Sequence, residues 1–157
     1  MNENNVTNDS STNANEKELV TTRIMNAPRD LVFKAWTTPE CLAQWWGPKG
    51  FTNTFHEFDL RPGGNWQFIM HGPNGVDYPN KSVFTEIVKP ERIVFQHLSG
   101  HQFQVTATFE DLDGKCRLTF RMLFETVAEC EKTKTYAVEA NEQNFDRLEA
   151  LLARLSA

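Results

Sequence analysis

The middle of the chain alternates apolar and polar residues with a period of two, which is typical of a sheet covered on one face. Short breaks rich in Gly, Pro, Asn and Asp divide this region into candidate strands at 52–60, 64–71, 80–89, 91–98, 101–111 and 115–125. Breaks this short force neighbouring strands to run antiparallel, because a parallel crossover needs about a dozen residues or more. The sequence therefore predicts an antiparallel sheet with one apolar face.

Helical patterns flank the predicted sheet. The β-branched segment 18–25 predicts a first strand, and Pro28 and the Thr38-Pro39 pair then mark the starts of two short helices. Near the C-terminus an apolar stripe steps by three and four through Ala137, Asn141, Phe145, Leu148, Leu152 and Leu155. That spacing predicts a long amphipathic helix. Whether 127–134 belongs to this helix or forms a separate turn stays open.

The order of these elements predicts an α+β fold with a seven-stranded sheet and one long C-terminal helix. Such a sheet is about 29 Å wide if flat, whereas a helix is about 10–12 Å wide. The sheet must therefore curl if one helix is to cover it. A curled sheet closed by one helix encloses space at its open end, so we expect a cavity of about 300–1,000 Å³. The two short helices are placed to gate it.

Composition and charge narrow the class of protein. Apolar residues make up 39% of the 157 residues, with twelve Phe and four Trp, which is enough for one core. The net charge of −5 and the lack of a basic stripe argue against a nucleic-acid partner. No apolar run approaches the roughly 18 residues of a membrane span, and no export signal is recognisable. Three scattered cysteines without a C-x-x-C pair favour a reducing, cytoplasmic location.

The N-terminal segment differs from the rest of the chain. Residues 1–17, MNENNVTNDSSTNANEK, contain almost nothing that can be buried. Such a segment cannot repay the entropy of its ordering. We therefore expect a disordered polar tail at 1–17 and one folded domain at 18–157.

Three stretches carry a family resemblance: NAPRDLVFKAWTTPECLAQWWGPKGF, HEFDLRPGGNWQFIMHGPNGVDYPN and FTEIVKPERIVFQH. They resemble the START-like (SRPBCC) superfamily, and within it the branch related to the C-terminal domain of the heat-shock-protein-90 ATPase activator. The resemblance implies a helix-grip fold, in which a bent antiparallel sheet grips the C-terminal helix around a cavity. Its members include lipid and hormone carriers, aromatic cyclases and co-chaperones, so the fold alone does not fix the function.

The candidate cavity residues are large side chains, mostly aromatic, near the predicted cavity. They are Trp46, Phe58, Trp66, Phe68, Tyr78, Phe95, His97, Phe103, Phe120, Met122 and Tyr136. Adjacent helical positions diverge by about 100°, so one of Trp45 and Trp46 is expected to pack and the other to line the entrance.

The histidines are the main candidates for chemistry. His56 and His97 are in phase with apolar neighbours, so each is either a buried, hydrogen-bonded imidazole or a ligand donor in the cavity. His101 is expected at an exposed hairpin. No spacing of these side chains matches a metal motif or an activated nucleophile. The sequence therefore predicts no metal, no cofactor and no catalytic residue.

Three functions stay open at this point. The aromatic lining favours binding of a small hydrophobic or aromatic molecule by a monomer or weak dimer. The resemblance implies a co-chaperone-like activator of heat-shock-protein-90 ATPase as an alternative. The eukaryotic activator has an additional chaperone-binding domain where this chain has a polar tail, which disfavours that alternative. The third is a cyclase- or hydrolase-like enzyme that uses His97 or Tyr78 as an acid–base group.

Overall fold

The computed structural model describes residues 16–156, which form seven strands and three helices. In chain order these are β1 (Glu18–Met25), α1 (Arg29–Thr37), α2 (Pro39–Trp45), β2 (Thr52–Phe58), β3 (Asn65–His71), β4 (Asp77–Val88), β5 (Arg92–His97), β6 (Phe103–Asp111), β7 (Cys116–Phe124) and α3 (Val127–Ser156). The element order matches the one predicted from the pattern of apolar positions. The α+β helix-grip fold is therefore confirmed.

The seven strands form one antiparallel sheet in the order β1-β7-β6-β5-β4-β3-β2. Consecutive strands from β2 to β7 pair through short connections, and β1 returns to pair with β7. The connection before β3 requires glycine at position 64, because a Cβ there would lie 1.9 Å from the carbonyl oxygen of Asp59. The two short helices sit between β1 and β2 in the chain, and they contact strands β2, β6 and β7 and helix α3.

Strand β4 begins earlier than the sequence predicts, at Asp77 rather than at residue 80, and it includes Pro79. Pro79 lies opposite Ile69 of β3, whereas β5 joins β4 only from Ser82 onward. The side of Pro79 that lacks an N–H therefore needs no partner strand, and proline is tolerated there.

The alternation of apolar and polar residues predicts His56 on the inner face of the sheet. In the structure His56 is exposed instead. The register between β2 and β3 shifts between Phe55 and Glu57. Phe55 and Phe58 pair with Phe68 and Trp66 and pack inside, while His56 is the extra residue of a bulge and is exposed. A bulge changes the phase of alternation without a sequence signature of its own.

Helix α3 is continuous over 30 residues, so 127–134 belongs to it. It lies over β1 and β7 and against α1 and α2. Arg23 of β1 anchors it through Glu142, Asp146 and Glu149, at N–O distances of 2.6, 2.8 and 2.8 Å. These contacts fix the helix along one side of the curved sheet.

The predicted tail at 1–17 lies mostly outside the described residues. Glu16 and Lys17 are the exceptions, and the carbonyl oxygen of Lys17 accepts a hydrogen bond of 2.9 Å from the N–H of Phe124. The ordered contacts of the domain therefore include residue 17, just before the predicted start at 18.

Candidate ligand site

Between the sheet and the three helices lies a narrow void in place of the expected open cavity. It is too narrow to admit a water molecule. The lining residues are Trp36, Trp45, Trp46, Phe120, Asn141, Asn144 and Phe145. In this structure the predicted cavity is closed at this place, because aromatic rings fill it.

The ring of Trp46 borders this void and lies among several other aromatic rings. Its centroid lies 5.6 Å from that of Trp36, 5.5 Å from that of Trp45 and 5.1 Å from that of Trp66. All three pairs meet edge to face, the arrangement that indole quadrupoles favour. We call these four residues the tryptophan cluster. Phe95 and Phe120 complete the surroundings of Trp46, at 6.3 and 6.2 Å.

The end of α2 sets the different roles of its two tryptophans. Trp45 is the last helical residue, is fully buried and donates its indole N–H to the carbonyl oxygen of Ala35 at 3.0 Å. Trp46 follows in an extended conformation and remains partly exposed. Gly47 then has φ +101°, a conformation that favours glycine, and turns the chain away. The structure thus separates a packing ring from a ring at the border of the interior.

Helix α3 holds the segment that carries Trp46. The Arg147 guanidinium donates to the carbonyl oxygens of Gln44, Gly47 and Pro48 at 2.9, 2.8 and 3.0 Å. The Oδ1 atom of Asn144 accepts the N–H of Gly47 at 2.6 Å. Arg147 thereby satisfies carbonyl groups that the end of α2 leaves free, and burial lowers its pKa. We call this set of bonds the α3 clasp.

Most of the predicted lining residues on the sheet join the tryptophan cluster. The Trp66 ring lies 4.6 Å from Phe68, 5.9 Å from Phe58 and 5.4 Å from Phe95, between centroids. Trp46 connects this group to Phe120 on β7. Six predicted residues therefore form one aromatic group: Trp46, Phe58, Trp66, Phe68, Phe95 and Phe120.

Met122 contacts the same interior through Asn141 of α3. The Nδ2 atom of Asn141 is 3.5 Å from the Met122 sulfur and 3.5 Å from the Thr21 hydroxyl oxygen. The distance to Thr21 is at the long end for an N–H···O hydrogen bond, and a thioether sulfur is a weak acceptor. Asn141 is 7% exposed, so a weakly bonded amide lies beside the void.

Besides Oδ1 of Asn53 and the hydroxyl oxygen of Thr133, three polar atoms in the interior have no hydrogen-bond partner among the described residues. They are the indole nitrogens of Trp36 and Trp66 and the hydroxyl oxygen of Ser82. All three residues are at most 3% exposed. Such groups are rare in folded proteins, because a buried unpaired donor costs about 1–3 kcal/mol.

His97 and Phe103 form a separate pair on the inner face, stacked with ring centroids 4.6 Å apart. The Nδ1 atom of His97 is 2.7 Å from the carbonyl oxygen of His101, and its Nε2 atom is 2.8 Å from the Oδ1 atom of Asn80. Burial lowers the pKa of His97. Both ring nitrogens are already engaged, which fits the hydrogen-bonded imidazole better than the ligand donor or proton shuttle.

The two predicted tyrosines lie at the surface, outside the void. Tyr78 is 42% exposed and faces Phe51, with ring centroids 6.0 Å apart. Tyr136 is 55% exposed on α3. It precedes Ala137 of the buried stripe and therefore points about 100° away from it. His101 is exposed, as predicted.

The sequence analysis did not identify Trp36, Asn141, Asn144 and Arg147 as site residues. Asn141 had a signal, since it is the polar member of an otherwise apolar stripe. Arg147 and Asn144 had none, because they sit beside that stripe and act on a loop distant in sequence. Trp36 lies in the first of the two predicted short helices.

The outer face of the sheet carries a hydrogen-bonded chain of three polar side chains. The Nε2 atom of His71 is 2.7 Å from the Thr54 hydroxyl oxygen, and its Nδ1 atom is 2.8 Å from Oδ1 of Asp77. The carboxylate can only accept, so Nδ1 carries a proton. Asp77 is 60% exposed at its side chain. These three hydrogen-bonded side chains face solvent on strands β2, β3 and β4, away from the tryptophan cluster.

Within residues 16–156, no group of three or more His, Cys, Asp or Glu side chains is arranged to hold a metal ion. No helix in the same part of the chain is long and apolar enough to cross a membrane.

A family model described as "Activator of Hsp90 ATPase homolog 1-like protein" matches residues 26–153. The chain belongs to this family. The match includes all four tryptophans and the α3 clasp, so the candidate site lies within the family domain. Among curated proteins, none matches the chain significantly.

Solved structures of bacterial proteins share the fold. One from Nitrosomonas europaea is 23% identical, with a TM-score of 0.82 and coverage of 88% of this chain and 96% of that one. A protein from Arthrobacter aurescens is 22% identical, with a TM-score of 0.83 and coverage of 91% and 90%. An AHSA1 protein from Silicibacter pomeroyi is 21% identical, with a TM-score of 0.72 and coverage of 87% and 97%. At these identities the likeness shows the helix-grip fold alone.

Proposed function

We propose that this protein binds one small hydrophobic or aromatic molecule in the space that the Trp46 ring occupies in the closed structure. One observation carries the proposal: a partly exposed indole ring is surrounded by five other aromatic rings, at centroid distances from 5.1 to 6.3 Å. A flat guest of similar size would make the same contacts if the Trp46 ring moved out.

Trp46 is the member of the cluster best placed to move. Trp45 and Trp66 are each 1% exposed, and Trp36 is 3% exposed, whereas Trp46 reaches the surface at the end of α2. It is not held by helical hydrogen bonds on its C-terminal side, where Gly47 begins the turn. Rotation of this side chain would free the interior without unfolding an element of the fold.

Binding by displacement weakens the apparent affinity. If the ring is out in only a small fraction of molecules, the apparent dissociation constant rises by the inverse of that fraction. An open fraction of about 1% would weaken binding about a hundredfold. A variant without the ring should bind more tightly, because it has no closed state of this kind.

Thermal-shift and tryptophan-fluorescence titrations with fatty acids, flavonoids and aromatic polyketides test the proposal. We expect at least one class to bind the wild type, and Trp46→Ala to bind the same class about tenfold or more tightly. Trp46→Leu serves as a milder second variant if the first folds poorly. Tyr136→Ala, which removes an exposed aromatic ring from α3, should bind as the wild type does.

The proposal is overturned if no compound binds the wild type or a folded Trp46 variant at high micromolar concentration. It is also overturned if Trp46→Ala binds no more tightly than the wild type.

We also propose a cytoplasmic location for the protein, as predicted from the sequence. Its three free cysteines support this location.

The family description favours a second candidate, stimulation of Hsp90 ATPase. That activity needs a surface contact with the chaperone and no open interior. ATP turnover by Hsp90 should then rise on addition of this protein, and Trp46→Ala should not change the effect. An unchanged turnover at excess protein would remove this candidate.

A further inference from the structure

The interior offers hydrogen-bond donors that no group in the described part of the chain accepts. Of the tryptophans beside Trp46, Trp45 donates its N–H to Ala35. The other two, Trp36 and Trp66, have buried indole nitrogens without a partner. Their rings lie 5.6 and 5.1 Å from the Trp46 ring, on two different elements. Both donors therefore belong to rings that border the space a guest would occupy.

Ser82 adds a third such group on the same side as Trp66. The two residues are directly opposite each other on β4 and β3, so their Cβ atoms are about 5 Å apart on one face of the sheet. Ser82 is 1% exposed and its hydroxyl has no partner. Trp66 and Ser82 thus offer two unpaired polar groups on the same face of neighbouring strands.

The chemistry of these groups restricts the guest. An indole N–H can only donate, and a serine hydroxyl can donate to any acceptor placed beside it. The side chains that line the void are all uncharged, so a carboxylate or phosphate would be buried without a countercharge. A neutral oxygen acceptor satisfies the donors at no such cost.

We propose that the site takes planar aromatic molecules that carry a neutral carbonyl oxygen, with Trp66 and Ser82 as its donors. Trp36 on α1 offers a third donor. This inference rests on the proposed function, since the ligand must first replace the Trp46 ring. It adds a preference for a carbonyl compound over the corresponding hydrocarbon.

The test compares 9-fluorenone with fluorene, two flat tricyclic molecules that differ in one carbonyl group. Both compounds are titrated into the wild type and into Trp46→Ala, and binding is measured by calorimetry or by tryptophan fluorescence. We expect fluorenone to bind about tenfold more tightly, because a buried, otherwise unpaired donor gains its acceptor. Ser82→Ala and Trp66→Phe should each reduce this preference severalfold.

Two matched controls separate the donors from general effects of substitution. Tyr136→Phe removes an exposed phenolic hydroxyl from α3, and Ser156→Ala removes an exposed hydroxyl at the end of α3. Both should keep the wild-type preference for fluorenone.

Each outcome decides between the two proposals. Equal binding of fluorene and fluorenone overturns the carbonyl inference and leaves the ligand-binding function standing. A preference that survives in both Ser82→Ala and Trp66→Phe also overturns it, since the donors would then be others. Failure of both compounds to bind the wild type and Trp46→Ala overturns the carbonyl inference, and with the failure of the wider panel it overturns the ligand-binding function too.

Discussion

Replacement of Arg147 by methionine should destabilise the protein and release the segment that carries Trp46. Arg147→Met keeps the apolar stem of the side chain but removes donors to three carbonyl oxygens at 2.8–3.0 Å. The group is partly exposed, so each bond contributes about 0.5–1.5 kcal/mol rather than the larger value of a buried charge. The free energy of unfolding should therefore fall by about 2–4 kcal/mol, which corresponds to a loss of about 6–12 °C in Tm.

Urea unfolding gives this free energy, and acrylamide quenching reports the accessibility of Trp46. Arg154→Met is the matched control, because it lies on the same helix and bonds only the Gln44 side chain, at 3.1 Å. Its cost should stay below about 1 kcal/mol. If Arg147→Met is as stable as the wild type and its fluorescence is quenched no more readily, the α3 clasp does not hold Trp46 and the reasoning is refuted.

Three further predictions concern other parts of the fold. At pH 8, Ellman's reagent should react quickly with Cys41 and with Cys116 and Cys130 only after unfolding, because burial raises the pKa of Cys116 to about 11 and also raises that of Cys130. Rapid reaction of all three thiols in the native state would contradict this prediction. Gly64→Ala should lower the free energy of unfolding by about 3 kcal/mol, because the added Cβ meets the carbonyl group of Asp59. Gly114→Ala, at φ +94° with no atom near the added Cβ, should lower it by about 1 kcal/mol. Equal losses in urea unfolding would show that the connection before β3 can adjust. Burial lowers the pKa of His97, so the unfolded chain binds the proton more readily and the free energy of unfolding should fall as the pH drops below about 6.5. His97→Gln should flatten this pH dependence between about pH 7 and 5.5, whereas a substitution of the exposed His56, His56→Gln, should not. Identical slopes in the wild type and both variants would contradict a role for His97.

The sequence predicted the sheet well because alternation is a local signal. Each strand from β2 to β7 is bounded by a turn that Gly, Pro, Asn or Asp announces. The errors fall where local signals are silent. At His56 a bulge shifts the phase, and at Pro79 the partner strand ends before it reaches the proline. No local sequence pattern predicts the bulge or the length of the partner strand.

The site was harder to predict than the fold. Trp66 and Phe95 lie inside because they belong to the apolar faces of strands β3 and β5. The closure of the cavity depends instead on a conformation just beyond α2, where Trp46 leaves the helix and turns its ring inward. Arg147, which holds that turn, is 101 residues away from Trp46 in the chain. Contacts between such distant positions arise only from the tertiary fold.

The unpaired donors offer a reason for the closed interior. Trp36, Trp66 and Ser82 each leave a polar atom without a partner, at a cost of about 1–3 kcal/mol per group. Phenylalanine and alanine at these positions would fill similar space without that cost. A core selected for stability alone would contain the cheaper residues, whereas a core that must bind a polar atom of a guest would retain the donors. The Trp46 ring would then limit the cost of the unliganded state by excluding a void, while leaving the donors free for the ligand that displaces it.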